Sequence, residues 1–337
     1  MKKLLLLYVV MIGALMVYLS VVYFREDSGG PLDQAEGLRG GMEEKYVIVN
    51  FLTGIDYWKN VLKGFEDAAE ALGVSVEYRG STQYDVHEEV TVLEQVIARN
   101  PAGIAVSAIN SEALNAAINK AVEAGIPVVM FDSDAPGSDA YSFLGTNNYN
   151  AGVTAARKMA ELTSGSGKVG IITHPNQLNH QERTKGFKDT LLAEFPNLQL
   201  VSVEDGKGDQ LVSEQQARDM LESYPDLAGI FVTEANGGVG VGHAILGAGK
   251  LDQVHIISFD TDKGTLDMIK SGTISATLAQ GTWNMGYWSL MHLFHLRNEL
   301  VEPMPDWRKA NVPPLPSYVD TGISVVTKSN VDNYYAK

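Results

Sequence analysis

The chain has 337 residues, 45% of them hydrophobic, enough for two ordinary domains with buried cores. With 41 acidic residues against 26 basic ones the formal net charge is −15, a field that repels phosphate backbones and argues against nucleic acid as a partner. There is no cysteine, which excludes disulfides, thiolate metal sites, a cysteine nucleophile and a lipid-modified N-terminal cysteine.

Met1-Lys2-Lys3 precedes an uncharged, apolar run over residues 4–24, long enough to cross a bilayer as one helix. Arg25-Glu26-Asp27 follows, with no small-x-small cleavage pair near the end of the run, so residues 1–24 read as an uncleaved signal anchor. Lys2 and Lys3 before the span put the N-terminus inside and the bulk of the chain on the extracytoplasmic face of the membrane. Residues 25–44, with Ser28-Gly29-Gly30-Pro31 and the glycines from 37 to 41, lack large apolar residues and read as a flexible linker.

From Lys45 onward, short β-branched runs alternate with longer amphipathic stretches, the pattern of βα units on a parallel sheet. The first series predicts strands at 46–52, 74–78, 103–107 and 127–131, with helices at 58–72, 86–99 and 112–124. Gly73, Gly125 and Gly272 mark helix ends, and Pro101 and Pro127 stop helical continuation. Residues 144–147 read as a crossing between lobes, and no element is assigned to 148–167.

The rhythm then restarts, with strands at 168–173, 199–203, 228–233, 255–259 and 274–279, and helices at 183–194, 213–223 and 237–247. A second crossing is placed at 277–283, a returning helix at 283–298 with Trp283 in the core, and a third crossing at 318–322. The expected fold class is α/β: two similar doubly wound parallel-sheet lobes joined by a three-segment hinge and preceded by a transmembrane helix. The lobes divide as 45–146 plus 281–320 and 147–280 plus 321–337.

Nucleotide motifs fail on spacing. A P-loop needs glycine five residues before Gly-Lys and a hydroxyl after it; Gly249-Lys250 has Ala244 and Leu251 there, and Gly167-Lys168 has Leu162 and Val169. Gly240-Val241-Gly242 continues to Ile245 where a dinucleotide fingerprint wants glycine. Asp132, Asp134 and Asp139 resemble a calcium loop, but Pro136 breaks it and Phe143 stands at the bidentate glutamate position. His292 and His295 have a spacing that can hold a metal, although packing or solvation is the commoner fate of such a pair. No metal, cofactor or catalytic centre is assigned, so the expected activity is binding without chemistry.

In open parallel sheets ligands bind beyond the carboxyl ends of the strands. Those positions carry Asp56-Tyr57-Trp58, Ser107, Asp132-Ser133, Glu234 with Asn236, Asp260 and Gln280, and Arg183 opens a predicted helix. A sugar offers an apolar C–H face and a rim of hydroxyls, which suits this set. Tyr57 and Trp58 provide a flat platform, Asp132 and Asp260 accept, Arg183 donates bidentately, and Gln280 and Asn236 do both. One of Tyr57 and Trp58 is expected to face the core instead, and His174 and Asn179 are rim candidates.

Over about residues 45–327 the sequence resembles the type I periplasmic sugar-binding proteins of the ribose-, galactose- and xylose-binding kind, which serve ABC importers. The pieces that carry the resemblance are Asp56-Tyr57-Trp58 with Gly64, Gly125-Ile126-Pro127-Val128 leading to Phe131-Asp132, and Gly145-Thr146-Asn147-Asn148. Arg183-Thr184-Lys185-Gly186-Phe187, Phe259-Asp260 and Ala276-Thr277-Leu278-Ala279-Gln280 complete it. The resemblance implies that Tyr57 and Trp58 pack on the sugar ring, Asp132 and Arg183 grip it from opposite sides, and Asp260, Gln280 and Glu234 with Asn236 bind further hydroxyls. Ser107 and Ser133 fall where a ribose-type pocket has asparagine and arginine, and Gly208 where it has an aromatic; these departures count against ribose itself.

The expected function is therefore extracytoplasmic monosaccharide binding for delivery to an ABC importer permease. The alternative is a membrane-anchored sugar-sensing subunit that docks on a sensor histidine kinase or chemoreceptor, favoured by an anchor that stays in the membrane. A repressor would need a basic helix-turn-helix ahead of the first lobe, where the chain has an apolar run instead.

Overall fold

The computed structural model describes Gly13, Leu15, Met16, Tyr18 and residues 38–301, 307–310 and 312–335. Two compact units are present, residues 1–40 and residues 41–337. In the first, the four described residues of the apolar run are helical and exposed; the rest of the expected transmembrane helix, and most of the linker, lie outside the described residues. Among the described residues no helix is long and apolar enough to cross a membrane.

The second unit opens with β1 (Lys45–Asn50), α1 (Trp58–Leu72), β2 (Ser75–Gly80), α2 (Val86–Ile97), β3 (Gly103–Val106), α3 (Ser111–Glu123), β4 (Val128–Phe131) and β5 (Phe143–Gly145). It continues with α4 (Asn148–Leu162), β6 (Gly167–Thr173), α5 (Leu178–Glu194), β7 (Leu198–Asp205), α6 (Gln210–Ser223), β8 (Leu227–Val232) and α7 (Gly237–Gly247). Then come β9 (His255–Phe259), α8 (Lys263–Ser271), β10 (Ala276–Gln280), α9 (Thr282–Arg297), α10 (Trp307–Ala310), β11 (Tyr318–Asp320) and β12 (Ile323–Val326).

The strands form two sheets, ordered β11-β5-β4-β3-β1-β2 and β12-β10-β9-β8-β6-β7. All pairings are parallel except β10 with β12. In each sheet the order reverses beside its first strand, β1 or β6, the switch point at which doubly wound sheets open a crevice. The chain passes between the sheets three times, after β5, after β10 and between β11 and β12. These crossings bond to one another: Thr321 N–H donates to Gly145 O at 3.0 Å and Gly281 N–H to Gly322 O at 3.2 Å.

Helix positions follow the apolar stripes. In α1, Val61, Phe65, Ala68, Ala69 and Leu72 recur every three or four residues and pack against Met285, Leu290, Leu293 and Phe294 of α9. Full burial of a side chain such as Phe65 contributes about 1.5–3 kcal/mol. Gly73 ends α1 in the left-handed region at φ 69°, and Asp85 starts α2 by accepting from His87 and Glu88 N–H. Helices α2 and α3 cover the other face of the first sheet; α4 with α5, and α6 with α7 and α8, cover the two faces of the second.

The structure departs from the sequence expectation in several places, among them α8 and β12, which the sequence pattern leaves unassigned, and β5 and β11, which lie in segments read as crossings. Residues 148–162, left without an element, form α4, whose buried face is mainly Ala151, Gly152, Ala155, Ala156 and Ala160, residues too small to give a strong apolar period. Helix α5 starts at Leu178 rather than 183, so Arg183 lies inside it instead of opening it. Trp283, expected in the core, is 39% exposed, stacked on Tyr287 with its Nε1–H donated to Asp67 at 2.8 Å. Helix α9 buries the stripe through Met285, Ser289 and Leu293 instead.

Glu89 of α2 is wholly buried; its Oε2 accepts the Ile109 N–H at 2.9 Å and its Oε1 has no partner. Burial pushes this carboxyl from 4.5 up to about 8. The folded protein therefore holds a proton there that the unfolded chain releases. That contribution to stability is complete below pH 4.5 and is lost as the pH rises toward 8. We expect Glu89→Gln to flatten this decline and to raise stability at pH 8 relative to the parent, by on the order of 3 kcal/mol in urea titrations. Parallel pH profiles for the two proteins would contradict this.

Candidate functional site

Strands β4 and β9 end in the same way. Asp132 and Asp260 follow Phe131 and Phe259, and both aspartates adopt left-handed backbone, φ 58° and 66°. Asp132 N–H donates to Leu144 O at 3.1 Å and Asp260 N–H to Leu278 O at 2.8 Å, each to the neighbouring strand. Aspartate is one of the few residues that tolerates this conformation. The turn directs both carboxyls out of their sheets and into one cleft.

Tyr57, at the start of α1, donates its hydroxyl to Asp132 Oδ1, and Ser107 Oγ donates to Asp132 Oδ2 at 3.1 Å. Gln280, on the second crossing, donates through Nε2 to Asp260 Oδ1 at 2.9 Å and to Tyr57 Oη at 3.2 Å. Its Oε1 accepts from Arg183 Nη2 at 3.0 Å and from Thr146 Oγ1 at 2.8 Å. One side chain thus links the first lobe, the second lobe and the hinge.

Arg183 is only 2% exposed. Its Nε donates to Asn148 Oδ1 at 2.9 Å and its Nη1 to Thr233 O at 2.8 Å, while the guanidinium lies 3.7 Å from the centre of the Phe259 ring. What holds it there is the close approach of α4 and α5. A Cβ on Gly152 would sit 2.1 Å from Arg183 O, and one on Gly186 2.0 Å from Tyr149 O, so only glycine lets the two backbones meet. Gly64 and Gly286 play the same part between α1 and α9.

The buried charges bear on one another. Burial pushes the Asp132 and Asp260 carboxyls upward, Asp260 to about 7, with Arg183 opposing the shift in both. Burial lowers Arg183 in turn, opposed by the two aspartates. Burial likewise raises Glu234 to about 7 and, with Arg183 and His174 nearby, drives His180 well below its ordinary value, so His180 is neutral. His180 Nδ1 lies 3.0 Å from Thr233 O and is fixed by it.

These groups line a cleft with about 550 Å³ free of protein atoms, a figure that includes space open to solvent. Tyr57, Trp58, Asp132, Arg183, Glu234, Asn236, Asp260 and Gln280 all line it. Trp58 also serves the core, only 2% exposed, with Nε1–H donated to Phe51 O at 3.0 Å.

Three expected contacts are placed otherwise. Asp56 is exposed and pairs with Lys59 at 2.8 Å, one turn along, because it lies on the solvent side of the loop before α1. Ser107 stands behind Asp132 as its donor rather than at the cleft wall. Ser133 is buried and does not line the cleft, since the left-handed turn at Asp132 folds its N–H back onto Phe131 O at 2.6 Å.

The rim candidates His174 and Asn179 do line the cleft, together with Tyr84, Gln177 and His180, which the sequence reading passed over. His174 directly follows β6 and fits the strand-end rule. Tyr84 sits in the loop between β2 and α2, where no pattern marks it. Among the described residues no group of three or more histidines or carboxylates is placed to hold a metal.

A family model described as a periplasmic binding protein domain matches residues 46–299. The chain belongs to this family. It is a type I periplasmic sugar-binding protein. It is 64% identical to a sugar-binding protein of a sugar ABC transporter from Bacillus halodurans, at a TM-score of 0.82 over 87% of this chain and 100% of that one. It is 63% identical to AraP, an arabinose binding protein from Geobacillus stearothermophilus, at a TM-score of 0.78 over the same shares. The solved XylFII–LytSN complex contains a chain 28% identical to it, at a TM-score of 0.75 over 85% of this chain and 98% of that one.

In this sugar-binding protein the α4–α5 contact sets the position of Arg183, which yields a test. We expect Gly186→Ala to force the two helices apart, lower stability by at least about 1–3 kcal/mol and weaken ligand binding as Arg183 shifts. Urea unfolding and calorimetry on the same variant check both effects; an unchanged unfolding midpoint would show that the contact is loose.

Proposed function

We propose that this protein captures one monosaccharide between its two lobes and presents it to the permease of an ABC importer on the extracytoplasmic face of the membrane. The lobes are 45–146 with 281–320 and 147–280 with 321–337. The reading rests on one observation: Asp132 from the first lobe and Asp260 and Arg183 from the second meet at a single cleft, joined through Gln280.

A sugar entering this cleft replaces protein hydrogen bonds with its own hydroxyls. Asp132 and Asp260 accept from the sugar, Arg183 donates to it, and Gln280 does either. Tyr57 and Trp58, edge to face with ring centres 4.8 Å apart, offer apolar surface for the C–H side of the ring. Charge-assisted hydrogen bonds of about 1.5–3 kcal/mol each are ample for micromolar affinity, about −8 kcal/mol, after the entropy of association and lobe closure is subtracted. Because ligands of this kind bind one conformation of the hinge better than another, capture and closure are a single equilibrium. No step alters the sugar, so the protein acts as a receptor and not as an enzyme.

Arabinose stands first among the candidate ligands, on the 63% identity to AraP. A second reading has the same sugar-bound lobes, held at the membrane by residues 1–24, docking on a sensor kinase. Two observations favour it: the apolar run behind Lys2 and Lys3, and a similar solved structure in which XylFII is in complex with a second protein, LytSN. Crosslinking in membranes separates the two, since a permease partner supports import and a kinase partner supports sensing.

We expect L-arabinose or a related pentose or hexose to raise the melting temperature, since a ligand that binds only the folded form stabilises it by mass action. Asp132→Asn and Asp260→Asn should each abolish the shift while leaving the unliganded melting temperature within a few degrees of the parent. A response to an amino acid or peptide, with none to any sugar, would reject the reading.

A further inference from the structure

The cleft contains a second set of polar groups that the Asp132–Gln280–Asp260–Arg183 network does not use. Tyr84 Oη, His174 Nδ1, Gln177 Nε2 and Glu234 Oε1 are buried and without hydrogen-bond partners among the described residues. All four residues line the cleft. By contrast Asp132, Arg183, Asp260 and Gln280 are each bonded to protein groups. Buried donors and acceptors are nearly always satisfied in folded proteins, and leaving one unpaired is unfavourable. Four such atoms around one cavity mark a place where polar partners come from outside the chain.

The set is built from both sides. Tyr84 belongs to the loop between β2 and α2 of the first sheet, His174 to the end of β6 in the second, and their rings lie 4.8 Å apart at 34°. Phe51 backs Tyr84 with ring centres 5.5 Å apart, and His180 stands 6.0 Å behind His174. The rings are therefore held by packing while their polar atoms remain free to bond.

Their chemistry is mixed. Gln177 Nε2 donates, Tyr84 Oη does both, and His174 Nδ1 does either according to tautomer. Hydroxyl groups answer such a mixture, because each can donate and accept. A carboxylate or a cation would satisfy only half of it.

We propose that Tyr84, His174 and Gln177, beside Glu234, form a second hydroxyl-binding subsite that contacts sugar hydroxyls out of reach of the Asp132–Arg183–Asp260 group, and so decides which sugar is retained. The proposal rests on the sugar-binding reading of the cleft. The subsite also spans the lobes, so a ligand engaging it bonds to Tyr84 on one side and to His174 and Gln177 on the other.

Titration calorimetry of the full chain with L-arabinose, D-galactose, D-xylose and D-ribose tests this. D-galactose carries the ring hydroxyls of L-arabinopyranose with one added hydroxymethyl group, which makes the pair a sensitive comparison. Tyr84→Phe removes only the hydroxyl and keeps the ring against His174; Gln177→Ala removes the amide. Each should weaken the tightest-binding of the four sugars about fivefold or more, the scale of one hydrogen bond. Each should also change the ratio of affinities for L-arabinose and D-galactose, with the ligand-free melting temperature unchanged.

Parent-like affinities and ratios in both variants would overturn the subsite and leave the capture of sugar intact, the four atoms then facing only water. Failure of the parent to bind any pentose or hexose, with a response to an amino acid or peptide instead, would overturn both readings.

Discussion

The structure depends on how one buried positive charge is held. Arg183 lies inside the protein, and an isolated guanidinium there would be strongly disfavoured. Two carboxyls, Asp132 and Asp260, oppose its loss of charge, and Gln280, Asn148 and Thr233 accept from its three nitrogens. Because Asp132 comes from one lobe and Arg183 and Asp260 from the other, the electrostatic balance is struck only where the lobes meet. Polar groups poised in this way in a low-dielectric cleft favour a ligand that extends the network without adding charge, which is what a neutral polyhydroxyl compound does.

The near-duplication of the chain has a physical counterpart in that balance. Each lobe carries the same strand order, the same left-handed aspartate after a phenylalanine at a strand end, and the same pair of helices joined through reciprocal glycines. The two halves then diverge in what they add. Tyr57 and Trp58 give the first lobe an apolar surface, and Arg183 gives the second a donor. The hinge residues Thr146 and Gln280 are bonded to each other, and Gln280 is bonded in turn to Tyr57 of one half and to Asp260 and Arg183 of the other.

Much of this was legible in the residues. Strand ends beyond a parallel sheet are where ligands bind, and that rule located Asp132, Asp260, Gln280 and Glu234 from the alternation of β-branched runs alone. The aromatic pair came with the same strand-end positions and Arg183 with a predicted helix start, and the resemblance to sugar-binding proteins then gave each a role. The rule failed where the local pattern was silent: α4 is built on alanine and glycine, which leave little hydrophobic period, and Tyr84 sits in a loop without periodicity. It also overreached at Asp56 and Ser133, which have the right residue type beside the cleft and the wrong direction, one toward solvent and one folded back into the turn.

The sequence by itself determined the fold class, the duplicated lobes and the chemical character of the cleft, because periodicity, glycine stops and strand-end polarity are local properties written along the chain. Only the tertiary structure decided which polar side chains share a hydrogen bond, that Ser107 serves Asp132 from behind, and that Tyr84 meets His174 across the gap. Those contacts join residues dozens of positions apart, and their existence depends on side-chain direction and on the separation of two lobes, quantities that no single stretch of sequence carries.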